Sequence, residues 1–274
     1  MLEQLKYKNH LNEVFEFGKD GIFVDTNTLH DYEWSVTKKN ERISALTRKI
    51  SKRKLPVKIV CATEAAGIAA RNRLFEVVER DVLAMKHGQI IFGDYYFKCF
   101  VTASKKNSYQ VSKQIMEATL TLTTDYPYWV KESTVSFSTE AVASTAGNLD
   151  HPYDYPYDYY SNLQAQPVTN TGFSASNFRL IIYGPCTSPS ITIAGNTYKV
   201  NCTVNDGEYL TIDSSEKKIY TTDANGEVTN QFNNRSREDY IFEKIPTGSH
   251  TVSWDGSFGF DVVLLEERSE PKWT

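Results

Sequence analysis

Apolar residues recur along this chain with two periods. Over most of it they fall at every second position, the spacing of a half-buried strand. Val14-Phe15-Glu16-Phe17 leads through Gly18-Lys19-Asp20-Gly21, a turn signal, into Ile22-Phe23-Val24. Residues 32–36 alternate, as do residues 55–60, where Pro56 predicts an edge strand because it cannot donate to a ladder. From about Thr63 to Met85 the period changes, and Ile68, Phe75, Val78 and Val82 share one face of a helix. Thr63 is its expected N-cap and Glu64 suits the first turn. Lys86-His87-Gly88 supplies the stop signal. Two strands then flank Gly93-Asp94. Next, Ala118, Leu120 and Leu122 alternate strictly with Thr119, Thr121 and Thr123, which predicts a strand with one apolar and one hydroxyl face.

The second half reads as strand throughout. Phe178-Arg179-Leu180-Ile181-Ile182-Tyr183 closes at Gly184-Pro185, and Ile191-Thr192-Ile193 turns at Ala194-Gly195-Asn196. Strands are predicted over 209–212, 218–221, 240–242, 250–254 and 260–265, with Asp223-Ala224-Asn225-Gly226 a strong turn. Short strands at about ten-residue spacing predict a sandwich or jelly roll.

Between the halves lies Pro152-Tyr153-Asp154-Tyr155-Pro156-Tyr157-Asp158-Tyr159-Tyr160, a tandem Pro-Tyr-Asp-Tyr unit. Its two prolines remove backbone donors and hold the chain extended. Its tyrosines bring flat apolar faces with polar tips, unlike the Gly and Ser of a flexible linker. The segment reads as a joint made to lie against something. The expected layout is therefore a mostly β domain over 1–149 with a helix at about 63–86, a Tyr/Asp/Pro joint over 150–166, and a β-sandwich over 167–274.

Composition places the chain among folded proteins: 40% is apolar and 13% aromatic, with 17 Tyr and 14 Phe in 274 residues. No apolar run reaches the roughly 18 residues of a membrane span, so no membrane insertion is expected. The first residues lack the apolar core of a signal peptide, so synthesis and folding in a cytoplasm are expected. Cys61, Cys99, Cys186 and Cys202 are far apart, and the five histidines are scattered. Free thiols acting as small hydrophobes are expected, and no metal site. Charge is uneven. Residues 1–149 hold 21 Lys and Arg against 17 Asp and Glu, a net of +4, and residues 150–274 hold 9 against 17, a net of −8. The two halves thus have different neighbours, or charge has simply drifted between domains.

Catalytic constellations are absent. The chain has no His-Glu-x-x-His, no phosphate loop ending Gly-Lys-Ser/Thr and no Gly-x-Ser-x-Gly. Asp154 and Asp158 form a carboxylate pair, but a tyrosine-rich exposed segment offers no apolar pocket to split their pKa values. No catalytic residue and no cofactor is expected. The basic run from Arg48 to Lys58 could meet a phosphate backbone. It alternates like an edge strand, however, where lysines block unwanted pairing, and it lacks the aromatics of a stacking platform. Trp34 and Trp254 are candidates for stacking on sugar rings. Both lie in alternating strands, so core positions are expected for them.

In their order and spacing, these features resemble the distal tail protein of long, non-contractile-tailed bacteriophages, the hub of the tail-tip baseplate. The resemblance rests on the strand–helix–hairpin order with Gly93-Asp94-Tyr95-Tyr96-Phe97-Lys98-Cys99 after the helix, and on the joint at 152–160. It continues through Ile182-Tyr183-Gly184-Pro185 and Pro189-Ser190-Ile191-Thr192-Ile193-Ala194-Gly195 to Glu267-Arg268-Ser269-Glu270-Pro271-Lys272-Trp273. It implies a mainly β fold: an N-terminal tail-tube-like β-barrel with one flanking α-helix, and a C-terminal galectin-like or jelly-roll sandwich. It implies a homo-hexamer at the virion's tail tip, enclosing a channel through which genome DNA passes without sequence-specific binding. The tail tube protein lies above and the tail-associated tip or lysin protein below. The sandwich can support receptor-binding proteins. The residues alone leave open a free-standing carbohydrate-binding module, an enzyme of unfamiliar type, or another tail-tube or baseplate protein with the same barrel.

Two sets of contacts are expected. Tyr153, Tyr155, Tyr157, Tyr159 and Tyr160 pack between domains or onto a neighbouring subunit, and Arg268 and Trp273 tie the C-terminus back to the protein. Replacing Tyr155, Tyr157 and Tyr159 by Ser should lower the melting temperature or the yield of assembled particles. Unchanged melting and unchanged assembly would remove the idea.

Overall fold

The structure is a computed structural model and describes residues 5–19, 21–108, 112–139 and 167–272. Among the described residues it is mainly β with one long α-helix, and its sheets are built from antiparallel pairings. The described chain forms two compact units, one of residues 1–131 with 267–274 and one of residues 132–266. The chain passes from the first to the second within the strand Trp129–Phe137 and returns within Phe260–Arg268.

In the first unit the strands are β1 (Leu5–Lys8), β2 (Val14–Glu16), β3 (Ile22–Val24), β4 (Ser35–Lys39), β5 (Arg42–Thr47), β6 (Ser51–Val60), β7 (Gly88–Phe92), β8 (Tyr95–Ser108), β9 (Ile115–Thr124) and β10 (Trp129–Phe137). One run of pairings is β2–β1–β7–β8–β10 and the other is β3–β6–β9–β8. The fourteen-residue β8 belongs to both. Its first residues pair with β7 and β10, and beyond Cys99 it pairs with β9, with register shifts after Val101 and Lys106. Such bulges bend a strand and sharpen its twist, which lets one strand serve two sheets. The inward residues Leu55, Val57, Ile59, Phe97, Ala118, Leu120 and Leu122 meet in one core, with Trp129 fully enclosed among them.

The helix α1 spans Glu64–Ala84 with Thr63 as N-cap, whose side chain accepts from the Ala66 N–H at 3.2 Å. That cap and the helix itself are where the sequence put them. The face is not. Gly67, Ala70, Leu74, Val77, Val78 and Asp81 are buried, while Ile68 and Phe75 are exposed and Val82 only half-buried. Of the expected face only Val78 is buried; the buried side is turned towards Gly67, Ala70, Leu74, Val77 and Asp81, so apolar counting set the face off by part of a turn. Its stop differs too. Met85 takes the left-handed cap conformation, and Gly88 opens β7 instead. A Cβ on Gly88 would stand 2.2 Å from both the Asp81 Oδ2 and the Tyr7 hydroxyl, and this close approach is why glycine sits there.

In the second unit five consecutive strands of the large sheet run in the order Val228–Asn230, Lys218–Thr222, Tyr209–Asp213, Asn177–Tyr183, Phe260–Arg268. Ser190–Ile193, Asn196–Lys199 and Val252–Ser253 form a smaller sheet. The inward set Phe178, Leu180, Ile182, Leu210, Ile212, Phe260 and Val262 builds a second core, and Phe137 stacks on Phe260 at 4.6 Å. The expected turn at Asp223 is present: its Oδ1 accepts from the Asn225 and Glu227 N–H groups, and Gly226 takes a positive φ. Residues 240–242 are not a strand. Ile241 and Phe242 are buried from irregular chain, so their apolar character reflects anchoring and not pairing.

At Gly67 a Cβ would lie 2.2 Å from the Lys113 carbonyl oxygen. Gly67→Ala is therefore expected to cost about 1–3 kcal/mol by overpacking, read as a lower denaturation midpoint. An unchanged midpoint would show that the helix has room to move away.

Candidate functional site

Among the described residues no group of three or more His, Cys, Asp or Glu side chains is arranged to hold a metal ion. The polar chemistry of the first unit is instead gathered at three places. At the first, the Asp81 side chain has no exposed surface, yet donors converge on it from another part of the chain. The Tyr7 hydroxyl donates to Oδ2 at 2.5 Å and the His10 N–H to Oδ1 at 2.8 Å, with the His10 Nδ1 2.5 Å from the same oxygen. Burial, then the bond to Asp81, holds the Tyr7 hydroxyl protonated, far above its usual range. This is a structural lock: its tyrosine does not ionise and its carboxylate is sealed from solvent.

The second place surrounds the Leu29 carbonyl. It accepts from Arg53 Nη1 and from Trp129 Nε1 at 3.3 Å. Arg53 is buried, its guanidinium 4.1 Å over the Phe97 ring, and burial lowers its pKa to about 10. His30 stacks on Trp129 from the same loop. The arginine thus spends its donors and its face on holding the 25–34 loop onto the core.

The third place lies where the chain returns to the first unit. Arg48 carries Tyr32, Trp34 and Tyr128 around its guanidinium at 5.4, 4.5 and 5.1 Å. It donates to the Pro127 carbonyl at 3.2 Å and to the Ser269 hydroxyl. Close by in sequence, the Tyr126 hydroxyl donates to Glu267 Oε1. Burial raises the Glu267 carboxyl to about 7, against a smaller opposing pull from Lys98.

The basic run needs correcting. Residues 51–60 form β6, which is interior only over Val57–Ile59, where β3 lies on one side and β9 on the other. Over Ser51–Pro56 only β9, among the described residues, pairs with it, and the loop residues Asp25 and Thr28 bond its other side. The missing donor of Pro56 points to the side where β3 has ended, and the Pro56 carbonyl there accepts from the Asp25 N–H at 3.0 Å. Lys52, Lys54 and Lys58 stand on the exposed face of β6, the first two in the stretch that β3 does not reach. Beside them β9 presents Thr119, Thr121 and Thr123, half-buried, while its alternate residues enter the core as expected. Lys58 pairs with Glu117 at 3.2 Å on this face.

Trp34 also departs from expectation. It is exposed and lies against Arg48, because the strand it was expected to sit in begins only at Ser35 and covers no core. Trp254 does pack against the second core, its Nε1 donating to the Phe258 carbonyl at 3.2 Å. All four cysteines are free; burial pushes the Cys99 thiol to about 12 and Cys186 to about 11, as befits inert side chains. Arg268 is half-buried and its Nε donates to the Glu270 carbonyl at 3.3 Å. Tyr153, Tyr155, Tyr157, Tyr159, Tyr160 and Trp273, with Asp154 and Asp158, lie outside the described residues. Tyr126 was not singled out by sequence, and Arg48 and Glu267 entered only as members of the basic run and of the C-terminal segment. Glu266 and Glu267 follow the apolar run 262–265, and a pair of carboxylates ending such a run is the signal that could have found Glu267.

No family model and no curated protein matches the sequence. Solved structures do match the fold. The Dit protein of phage SPP1, described as a paradigm of the hub adsorption apparatus in phages infecting Gram-positive bacteria, superposes with a TM-score of 0.58 at 12% identity. The match covers 98% of this chain and 100% of that one. The chain has the distal tail protein fold. A chain of the phage P2 baseplate in its activated conformation with Ca matches at a TM-score of 0.66 and 11% identity, over 99% of this chain and all of that one. The same baseplate with Sr gives 0.65 and 11%, over 99% and 100%. In this example of the distal tail protein fold, Glu267 and Ser269 bind the returning chain to the first unit through Tyr126 and Arg48.

The Glu267 environment yields a pH prediction. Unfolded, the carboxyl ionises near its ordinary 4.5; folded, near 7. Between these values the folded state keeps a proton that the unfolded state has lost, so stability falls as pH rises through this window and levels off above it. Glu267→Gln should flatten that fall, making the variant relatively more stable at pH 8 than at pH 5. Parallel denaturation profiles for the two proteins would show that Glu267 ionises normally.

Proposed function

We propose that this chain is a structural protein of a phage virion: the hub at the tail tip that joins the tail tube to the baseplate. The reading is carried by the extent of the likeness, 98–99% of this chain against 100% of each of the three matched chains, with both units included. A free-standing sugar-binding sandwich would be matched over the second unit alone.

In this reading six copies form a ring whose channel continues the tail tube and lets DNA through. The tail tube protein docks on one side and the tail-associated tip protein on the other, and receptor-binding proteins are supported by the second unit. The role is one of scaffolding and passage, without catalysis. The Leu/Thr alternation of β9 suits a channel wall, packed on one face and wet on the other. Sugar stacking gains no support from the tryptophans, since Trp254 serves the core and the Trp34 ring lies against Arg48.

The test is the native mass of the purified chain over a range of concentrations, with particle images. A ring-shaped species near six times 31.2 kDa is expected. A monomer throughout that binds a glycan in a screen would replace the hub by a carbohydrate-binding module.

A further inference from the structure

Among the described residues, large apolar side chains left exposed concentrate in the first unit; the second contributes only Phe173, Tyr183, Val228 and Tyr240. Two surfaces of the first unit account for many of them.

One is the hairpin of β4 and β5. Among the described residues these strands pair only with each other. Val36 stands opposite Leu46 and, two residues on, Lys38 stands opposite Ile43, whereas Ser35 faces Thr47 and Thr37 faces Ala45. Across the register shift between Thr37 and Lys38, which leaves Ser44 out of the pairing, this is the alternation of a strand pair with one buried face. Yet Val36, Ile43 and Leu46 are 48%, 64% and 54% exposed. A lone two-stranded hairpin is marginal in water and needs a surface to lie on. Lys38, Lys39 and Arg42 crowd its tip, with Glu41 the only acid there and no ion pair among the described residues.

The other surface is the outer side of α1. Ile68, Phe75 and Leu83 point outward there, the latter two 57% and 78% exposed. The arginines of the helix are already engaged. Arg71 donates to the Ser112 and Ile115 carbonyls, Arg73 to the Val14 carbonyl, and Arg80 pairs with Glu13. Glu76 and Glu79, beside Phe75 and Leu83, have no ion-pair partner among the described residues. An apolar surface with uncompensated acids thus matches an apolar hairpin with uncompensated bases.

We propose that the β4–β5 hairpin of one copy lies across the outer face of α1 of the next copy. Val36, Ile43 and Leu46 meet Ile68, Phe75 and Leu83, and Lys38, Lys39 and Arg42 meet Glu76 and Glu79. The two surfaces differ, so the contact is head-to-tail, the kind that closes into a ring when the rotation permits. The proposal rests on the ring reading above and names the contact that builds it.

Charge reversal tests it on the full chain. Lys38→Glu, Lys39→Glu and Arg42→Glu together should weaken self-association by about tenfold or more, since like charges facing across an interface repel strongly. Glu76→Lys with Glu79→Lys should do the same. Mixing the two variants should give complexes in which only the oppositely reversed surfaces meet, and combining all five changes in one chain should restore assembly. Because these side chains are on the surface, circular dichroism should show each variant folded. A wild-type ring with variants that assemble equally well would overturn the contact and leave the ring standing. A wild-type chain that stays monomeric would overturn both.

Discussion

The Asp81 carboxylate has no exposed surface, and the geometry of the first unit depends on its being answered there. A buried charge-bearing group left without donors costs several kcal/mol, so Tyr7 and His10 must both reach it. β1 carries Tyr7, the residues just after it carry His10, and the last turn of α1 carries Asp81, so the lock joins the start of the chain to the end of the helix. It also sets the phase of the helix. With Asp81 inward, Gly67, Ala70, Leu74, Val77 and Val78 turn inward, and Ile68, Phe75 and Leu83 are left outside. Glycine at position 88 follows from the same lock, since Asp81 and Tyr7 already fill the place of a side chain.

The second unit is organised by apolar alternation more than by buried charge. Leu180 and Ile182 pair across to Ile212 and Leu210 on one side, Phe178, Leu180 and Ile182 to Leu264, Val262 and Phe260 on the other, and the aromatic rings of Phe137, Trp254 and Phe260 close against one another. Its tight turns are bound by their own Asp side chains, as at Asp213 and Asp223. Among the described residues this unit exposes few large apolar side chains, whereas the first unit leaves more of them exposed, several on the β4–β5 hairpin and the outer side of α1.

Much of the fold was legible in the sequence. Period-two alternation identified β9 and most strands of the second unit, Thr63 marked the helix start, and Gly93-Asp94 and Asp223–Gly226 marked turns. These are local signals, carried by residues that touch one another within a few positions. The candidate site was less legible. Arg53 looks like one of a row of solvated cations, and only the packed core shows that it turns inward to Leu29 and Phe97. Pro56 marked β6 as an edge, and at Pro56 no described strand does lie on its second side, but the partners that enclose Val57–Ile59, residues 22–24 and 115–124, are far away in sequence.

The sequence by itself determined the class of the fold, the type of most elements and the absence of any familiar catalytic motif, because backbone propensity and side-chain period are properties of neighbouring residues. The tertiary structure alone decided which side of α1 is buried, which strand is interior and which apolar residues stay exposed. Those depend on where distant donors, such as Tyr7 and His10 for Asp81, arrive in space, and no local pattern encodes that.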